Sequence, residues 1–166
     1  INMPVDFFPD KCITKLNDPL FGLCDIPPRK AFVNKVDDGS WIATVLNESM
    51  HEVTFVAVDV CLELKKENGE LDSSCDCLMT YNSNIIFAEL KEISSTSLKW
   101  IRKADAQLRN TIKRFEESYT LSSYSKKEAY ISNSQQPQFK SSQKERMQKF
   151  KDETGVRLKI VATIEL

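Results

Sequence analysis

Three charged residues between positions 76 and 91 have the types and the spacing that phosphate chemistry uses. Asp76 lies in one apolar run, and Glu89 and Lys91 lie two residues apart in the next. Because alternate residues of a strand share a face, we expect Glu89 and Lys91 to point the same way, and a hairpin register can bring Asp76 beside them. Two carboxylates and one ammonium group in that arrangement can hold a divalent cation next to a phosphate.

Cleavage of a phosphodiester needs an aimed nucleophile and neutralisation of charge on the phosphate, and Mg²⁺ or Mn²⁺ held by oxygen ligands provides both. The candidate metal ligands on the two apolar runs are Asp76, Glu89 and the backbone carbonyl of Leu90. The sequence therefore predicts a magnesium or manganese cofactor.

The candidate catalytic set consists of Asp76, Glu89, Lys91 and Gln107. Lys91 is expected to hold or deprotonate the attacking water and to stabilise the phosphoryl charge. Gln107 is expected to orient water or a phosphate from a following helix. Two plainer readings stay open, namely that Lys91 and Glu89 form a structural ion pair and that Gln107 is an ordinary residue on a helix flank.

The elements that must position these residues follow from hydrophobic periodicity. Residues 53–64 are apolar almost throughout, which predicts a central strand covered on both faces, with Asp59 as its one charge before Glu63. Residues 75–81 and 85–91 predict a hairpin, and residues 97–119 predict a helix with one apolar stripe.

The later chain predicts a strand at residues 127–133, a helix opened by a Ser142–Glu145 capping box and ended by Gly155, and one half-buried strand at 156–164. Residues 31–36 and 41–46 flank an Asp-Gly turn and predict another hairpin. Residues 1–30 hold five of the six prolines and predict an irregular arm.

These elements predict an α/β fold, in which a mixed sheet of about five strands is flanked by helices. The length of 166 residues suits a single domain over 1–166, with the arm and first hairpin strand at 1–40 and the core at 41–166. Without a G-x-x-x-x-G-K or G-x-G-x-x-G motif, a glycine-cradled nucleotide site is not expected. No apolar run reaches about 18 residues, so no membrane span is expected either.

Charge and cysteines bear on partners and compartment. Residues 1–95 carry a balance of −8 and residues 96–166 a balance of +7, so one part can supply carboxylates while the other faces a polyanion. Two ordinarily solvated surfaces explain the split equally well.

Five irregularly spaced cysteines do not form a disulfide framework, and Cys75 and Cys77 are expected to be buried thiols rather than zinc ligands. This usage predicts a cytoplasmic protein.

The order of these elements and acids resembles the PD-(D/E)XK nuclease-like superfamily, over roughly residues 53–166. Its members carry an acid on one strand, acid-x-lysine on the paired strand and then a helix, which correspond here to Asp76, Glu89-x-Lys91 and residues 97–119. Some branches carry a glutamine on that helix, as Gln107 would be. The resemblance implies a restriction-endonuclease-like core and hydrolysis of phosphodiester bonds.

The stretch CDCLMTYNSNIIFAELKE, with the Gln-Leu pair on the following helix, resembles more narrowly a group of small bacterial proteins of unassigned activity within that superfamily. Two departures accompany the resemblance. Cys75 replaces the proline that precedes the first acid. The resemblance also implies a glutamate on an earlier helix as a further metal ligand, for which Glu48 and Glu52 are the candidates, with Asp59 as a substitute.

Two functions follow from the resemblance. One is a metal-dependent nuclease-like protein acting on nucleic acid, with DNA preferred. The other is a catalytically inactive protein of the same fold that serves as a binding, immunity or regulatory partner, because folds outlive their chemistry. A homodimer is compatible with both.

Overall fold

The computed structural model describes residues 4–139 and 142–166. In chain order, its strands and α-helices are β1 (Ile13–Leu16), β2 (Leu20–Cys24), β3 (Phe32–Asn34), β4 (Ala43–Leu46), β5 (Val53–Ala57), β6 (Cys77–Tyr81), β7 (Asn84–Lys91), α1 (Lys99–Glu116), β8 (Lys126–Asn133), α2 (Lys144–Thr154), β9 (Arg157–Lys159) and β10 (Thr163–Glu165). The predicted α/β class with a mixed sheet is confirmed. The prediction of one sheet of about five strands flanked by helices is wrong, because the ten strands of the described residues form two sheets and the smaller sheet takes the place of helices on one face.

The larger sheet has six strands in the order β1-β5-β6-β7-β8-β9. Neighbours from β1 to β7 pair antiparallel, whereas β7–β8 and β8–β9 pair parallel. Parallel pairing needs a crossover connection, and α1 and α2 supply the two crossovers. The predicted hairpin of β6 and β7 and the predicted strand β8 are therefore confirmed.

One face of this sheet packs against the helices. Ile101, Leu108 and Phe115 of α1 are fully buried in a cluster that includes Ile85 and Phe87 of β7. These α1 residues belong to the apolar stripe that the sequence predicts, because steps of three and four residues return to the same helix face. The stripe thus fixes which side of α1 lies on the strands that carry the acids.

The opposite face is covered by the smaller sheet, whose strand order is β10-β4-β2-β3. Along β5, Phe55 packs in the cluster between the sheets, whereas Val56 packs in the cluster under the helices. A strand with apolar partners on both faces has no reason to alternate. The prediction of a doubly covered central strand is confirmed, although the strand ends at Ala57.

The prediction of an irregular arm over residues 1–30 is wrong, because β1 and β2 lie within it. Pro9 and Pro19 lie on either side of β1, and Pro19 and Pro27 lie on either side of β2. Proline lacks the N–H that a ladder needs, so here the prolines delimit two short strands rather than prevent them.

The predicted hairpin between residues 31–36 and 41–46 is also wrong. Both segments contain strands, β3 and β4, but β2 lies between them and pairs with each on a different edge. Leu23 of β2 is opposite both Val33 and Ala43. The local Asp-Gly signal was overridden by pairing with a strand that precedes it in the chain.

The prediction of one strand over residues 156–164 is wrong as well, since β9 belongs to the larger sheet and β10 to the smaller. The alternate residues from Val156 to Ile164 are nevertheless all buried. Each short strand has one covered face, so the alternation continues across the crossing between sheets. The predicted Ser142 cap is wrong too, because Gln143 is the N-cap residue of α2; Gly155 ends the helix as predicted, at φ +74°.

The cysteines divide into two groups. Cys24, Cys75 and Cys77 are buried free thiols, whereas Cys12 and Cys61 form a disulfide, which contradicts the expectation of free cysteines. Cys61 lies in a turn after β5 rather than in a strand, and the turn brings it to the short 3₁₀ helix that ends at Cys12. Among the described residues, no helix has the length and apolar character needed to cross a membrane.

Candidate active site at the end of the central hairpin

The two acids meet where the hairpin of β6 and β7 opens. Asp76 directly precedes β6, and its backbone N–H donates a hydrogen bond to Glu89 Oε1 at 3.1 Å. The backbone N–H of Leu90 donates in turn to Asp76 Oδ2 at 2.7 Å. The structure therefore brings together the two carboxylates that the sequence predicts as neighbours.

β6 and β7 separate at this point because two side chains accept the hydrogen bonds that the backbone of a neighbouring strand would otherwise accept. Cys77 is opposite Ala88, so continuation of the register would place residue 75 opposite Leu90. Instead the Leu90 N–H binds the Asp76 carboxyl group, and the Cys75 N–H binds Thr111 Oγ1 of α1 at 2.7 Å. Because the N–H and C=O of a strand residue point to the same edge, the Leu90 carbonyl also lies on the edge that faces Asp76.

Lys91 and Gln107 complete the constellation. Lys91 Nζ lies 2.9 Å from Glu89 Oε2 and donates to Gln107 Oε1 at 3.2 Å. Gln107 Nε2 donates to the backbone carbonyl of Ser74 at 3.3 Å. Gln107 therefore links α1, the lysine and the segment before Asp76, which is more than an ordinary helix-flank residue does.

Thr111 also contributes to the site, although no motif in the sequence selects it. Its side chain is fully buried, and its hydroxyl accepts from the Cys75 N–H while donating to the Gln107 carbonyl at 2.9 Å. One hydroxyl thus fixes both the turn before Asp76 and the helix turn that carries Gln107. The signal that could have revealed it is a threonine one helical turn after Gln107, on the buried side of the helix.

Burial makes the carboxyl pair hard to ionise. The exposed fraction is 6% for Asp76 and 1% for Glu89. Burial, followed by the charge of Glu89, raises the pKa of Asp76 to about 9. Burial also raises the pKa of Glu89, against the lowering effects of Asp76 and Lys91. At neutral pH Asp76 therefore holds its proton, and Glu89 lies between this protonated acid and the ammonium group of Lys91.

Two further acids lie around this pair. Asp59 is exposed, and its backbone N–H pairs with the Cys75 carbonyl at 3.2 Å, which places it beside the turn before Asp76. Asp25, at the end of β2, is half-buried, and burial together with the charges of Asp76 and Asp59 raises its pKa to about 6. Sequence reasoning missed Asp25 because the segment was assigned to the irregular arm; the apolar run 20–24 was the available signal.

Glu48 is wrong as a ligand candidate, and Glu52 is equally distant. Both precede β5, at the end of the sheet where His51 contacts Asn82. Since β5 and β6 are antiparallel, that end is the far end of β6 from Asp76, about 17 Å away at ~3.3 Å per strand residue. No side chain of these glutamates spans that distance.

The oxygen donors at this site suit a hard cation that takes few of its ligands from the protein. Among residues 4–139 and 142–166, no three His, Cys, Asp or Glu side chains are grouped closely enough to hold a metal ion. Asp76, Glu89 and the Leu90 carbonyl provide two carboxylates and one neutral oxygen. Mg²⁺ typically takes one or two protein carboxylates and completes its shell with water and phosphate oxygens, so these residues fit it.

Comparison of the chain with protein-family models, curated proteins and solved structures finds no match. The site is therefore interpreted from its own geometry.

Proposed function

We propose that this protein is a metal-dependent phosphodiesterase of the PD-(D/E)XK nuclease-like type that acts on nucleic acid, with DNA as the preferred substrate. One observation carries the proposal: Asp76 and Glu89 are buried together, and among the residues that the structure describes Lys91 is the one cation paired with them. Such an excess of acid is expected where an additional cation binds. The order of the antiparallel strands β5 to β7, then α1, then parallel β8, agrees with a restriction-endonuclease-like core.

The metal would be held by Asp76, Glu89 and the Leu90 carbonyl, and it would neutralise charge at the phosphate and acidify water. Asp76 must give up its proton for this, because a carboxylate ligand binds in its ionised form. The Leu90 N–H, which already donates to Asp76 Oδ2, stabilises the ionised state.

Lys91 is the residue that meets the substrate. Glu89 and Gln107 hold its ammonium group beside the acid pair, and 14% of the Lys91 side chain is exposed to solvent. From there it donates a hydrogen bond to a phosphate oxygen or to the attacking water. Gln107 keeps the ammonium oriented through its second contact, with the Ser74 carbonyl.

The test is cleavage of labelled DNA and RNA, single- and double-stranded, with Mg²⁺ or Mn²⁺. Lys91→Ala is expected to lower the rate by about 10²–10⁴-fold, the range for loss of one acid–base or charge-stabilising group. Lys159→Ala is the matched control, since it removes a lysine paired with a different buried carboxylate, Glu128. Equal cleavage by wild type and Lys91→Ala would refute the assignment.

Burial favours a second candidate function. The acids contact each other, Lys91 and backbone groups, so the constellation is already satisfied without a ligand. A catalytically inactive binding, immunity or regulatory protein would keep such a cluster as structure. Calorimetric titration with Mn²⁺ separates the two: heat of binding that Asp76→Asn removes supports the enzyme, and absence of binding supports the inactive partner.

A further inference from the structure

The first turns of α1 carry an uncompensated positive charge. Lys99, Arg102 and Lys103 are exposed, and residues 93–104 contain no Asp or Glu. The next acid, Asp105, is buried and pairs with Arg109 and Arg146. No carboxylate is therefore free on this part of the helix to neutralise the three cations.

Beyond this part, the arginines of the two helices, Arg109, Arg114 and Arg146, are engaged with acids, whereas the exposed lysines Lys113 and Lys151 form no ion pair with any described residue. Arg109 pairs with Asp105 and Glu153, and Arg114 pairs with Asp72. Within the part of the chain that the structure describes, Lys99, Arg102 and Lys103 form no ion pair. Their charges are thus available to a ligand outside the chain.

These cations occupy the end of the helix where they stabilise it least. The helix dipole makes the N-terminus partly positive, which favours acids in the first turn and disfavours lysine and arginine. The first turn of α1 has no acidic residue and begins with Lys99. Folding alone gives no reason for this placement, and binding of an anion does.

Helix periodicity connects two of the cations to the active site. Lys99, Lys103 and Gln107 are successive members of one i, i+4 ridge, about 6 Å apart along the axis for each step. Gln107 ends the ridge at its hydrogen bond with Lys91. The ridge therefore runs from the start of α1 to the lysine beside the acid pair.

We propose that Lys99 and Lys103 form a phosphate track, in which each lysine contacts one backbone phosphate of a nucleic-acid strand and guides the strand along α1 to Lys91. The recognised chemistry is the phosphodiester backbone, so contact is independent of base sequence. The track rests on the proposed function in that it ends at Lys91, but its binding role can be measured without metal or cleavage.

The experiment measures binding of fluorescent oligonucleotides of one length by anisotropy, in EDTA, across a series of salt concentrations. Single-stranded DNA, duplex DNA and RNA form separate arms. For whichever of these nucleic acids binds, the double variant Lys99→Ala/Lys103→Ala is expected to reduce the slope of log binding constant against log salt concentration by about one per lysine. Lys113→Ala/Lys151→Ala is the control, because it removes two exposed lysines near the C-terminal ends of α1 and α2.

A second variant separates binding from folding. Lys99→Glu places an acid in the first turn of α1, so it is expected to raise the melting temperature while weakening oligonucleotide binding at least as much as Lys99→Ala. A slope equally reduced in the track and control variants, or wild-type protein that binds no oligonucleotide at low salt, would overturn the track. Mn²⁺ calorimetry tests the metal site separately, so failure of the phosphate track can be told apart from failure of the proposed function.

Discussion

The six-stranded sheet carries buried carboxylates on both of its faces, and the two groups differ in how their charge is balanced. Glu89 shares the helix-facing side with Phe87, next to Asp76. Glu128 shares the opposite side with Tyr130 and is 3% exposed. Lys159 Nζ lies 2.7 Å and Lys126 Nζ 3.3 Å from the Glu128 carboxylate. Counted over the described residues, the helix-facing group thus has two acids with one lysine, and the group on the opposite face has one acid with two lysines.

The pKa values move in opposite directions as a result. Burial would raise the pKa of Glu128, but the hydrogen bond and charge of Lys159, with that of Lys126, lower it overall. For Asp76, burial and Glu89 act together and outweigh the Leu90 N–H and Lys91. Burial opposes the ionised form in both places, and the number of nearby cations decides the outcome.

The difference shows which cluster is complete. Glu128 is ionised and compensated, as expected of a structural ion pair. Asp76 and Glu89 retain a proton because the chain supplies too few cations, and an added divalent cation would replace that proton. Burial of an acid is therefore weak evidence for a functional site, whereas an uncompensated acid pair is stronger evidence.

Metal affinity gives the largest expected contrast between the two clusters. Asp76→Asn or Glu89→Gln is expected to weaken Mn²⁺ binding by about 100-fold, whereas Glu128→Gln leaves it unchanged. Because binding displaces the proton on Asp76, wild-type affinity should rise between pH 6 and pH 9. Calorimetric titration at several pH values measures both effects. If Mn²⁺ affinity is independent of pH, or is lost in Glu128→Gln, the metal does not bind at Asp76 and Glu89 with displacement of a proton.

Loss of the compensated acid is expected to destabilise the fold. Glu128→Gln removes the partner of two lysines and should lower the free energy of unfolding by about 1–3 kcal/mol, less than for a fully buried pair because Lys126 and Lys159 are 38% and 34% exposed. The pKa of Glu128 is lower in the folded protein than in the unfolded chain. Its contribution to stability is therefore fully present above the pKa of the unfolded chain and is lost as pH falls through the pKa of the folded protein. Urea unfolding at pH 7 and pH 4 checks this. An unchanged midpoint at pH 7 would show that the ion pairs contribute nothing.

Substitution of Asp76, the uncompensated acid, is expected to stabilise the fold, and this is the smallest of the three predicted effects. Asp76→Asn keeps an acceptor for the Leu90 N–H and removes a buried carboxyl group, so unfolding should cost about 1–2 kcal/mol more at pH 8. The pKa of Asp76 is raised from 3.8 to about 9, so wild-type stability falls as pH rises between those values, and the variant loses that slope. Denaturant unfolding from pH 5 to pH 9 measures it. Destabilisation at pH 8 would mean that Asp76 is structural.

Much of the fold could be predicted because its signals are local. The apolar stripe of α1, the hairpin of β6 and β7, and Gly155 at the end of α2 depend on residues close together in the chain, and each was found. The candidate acids were found for the same reason, since acid-x-lysine on a strand fixes a shared face without knowledge of distant contacts.

The errors share a nonlocal cause. β2 separates β3 from β4, so the Asp-Gly turn does not close a hairpin, and one alternating run is divided between two sheets as β9 and β10. The disulfide between Cys12 and Cys61 joins residues 49 positions apart. Hydrophobic alternation reports that a face is buried, and it does not report which sheet covers that face.

The order of residues along the chain is enough to place two acids and a lysine on neighbouring strands, because the strand period and a short turn leave little freedom. Packing in three dimensions is what brings Thr111 to the Cys75 N–H beside Asp76, places Asp25 near the acids, and puts Glu48 at the far end of the sheet. Charge state was decided there too, because the pKa of a carboxyl group depends on its burial and on every charge brought near it in space, and these follow from packing rather than from order along the chain.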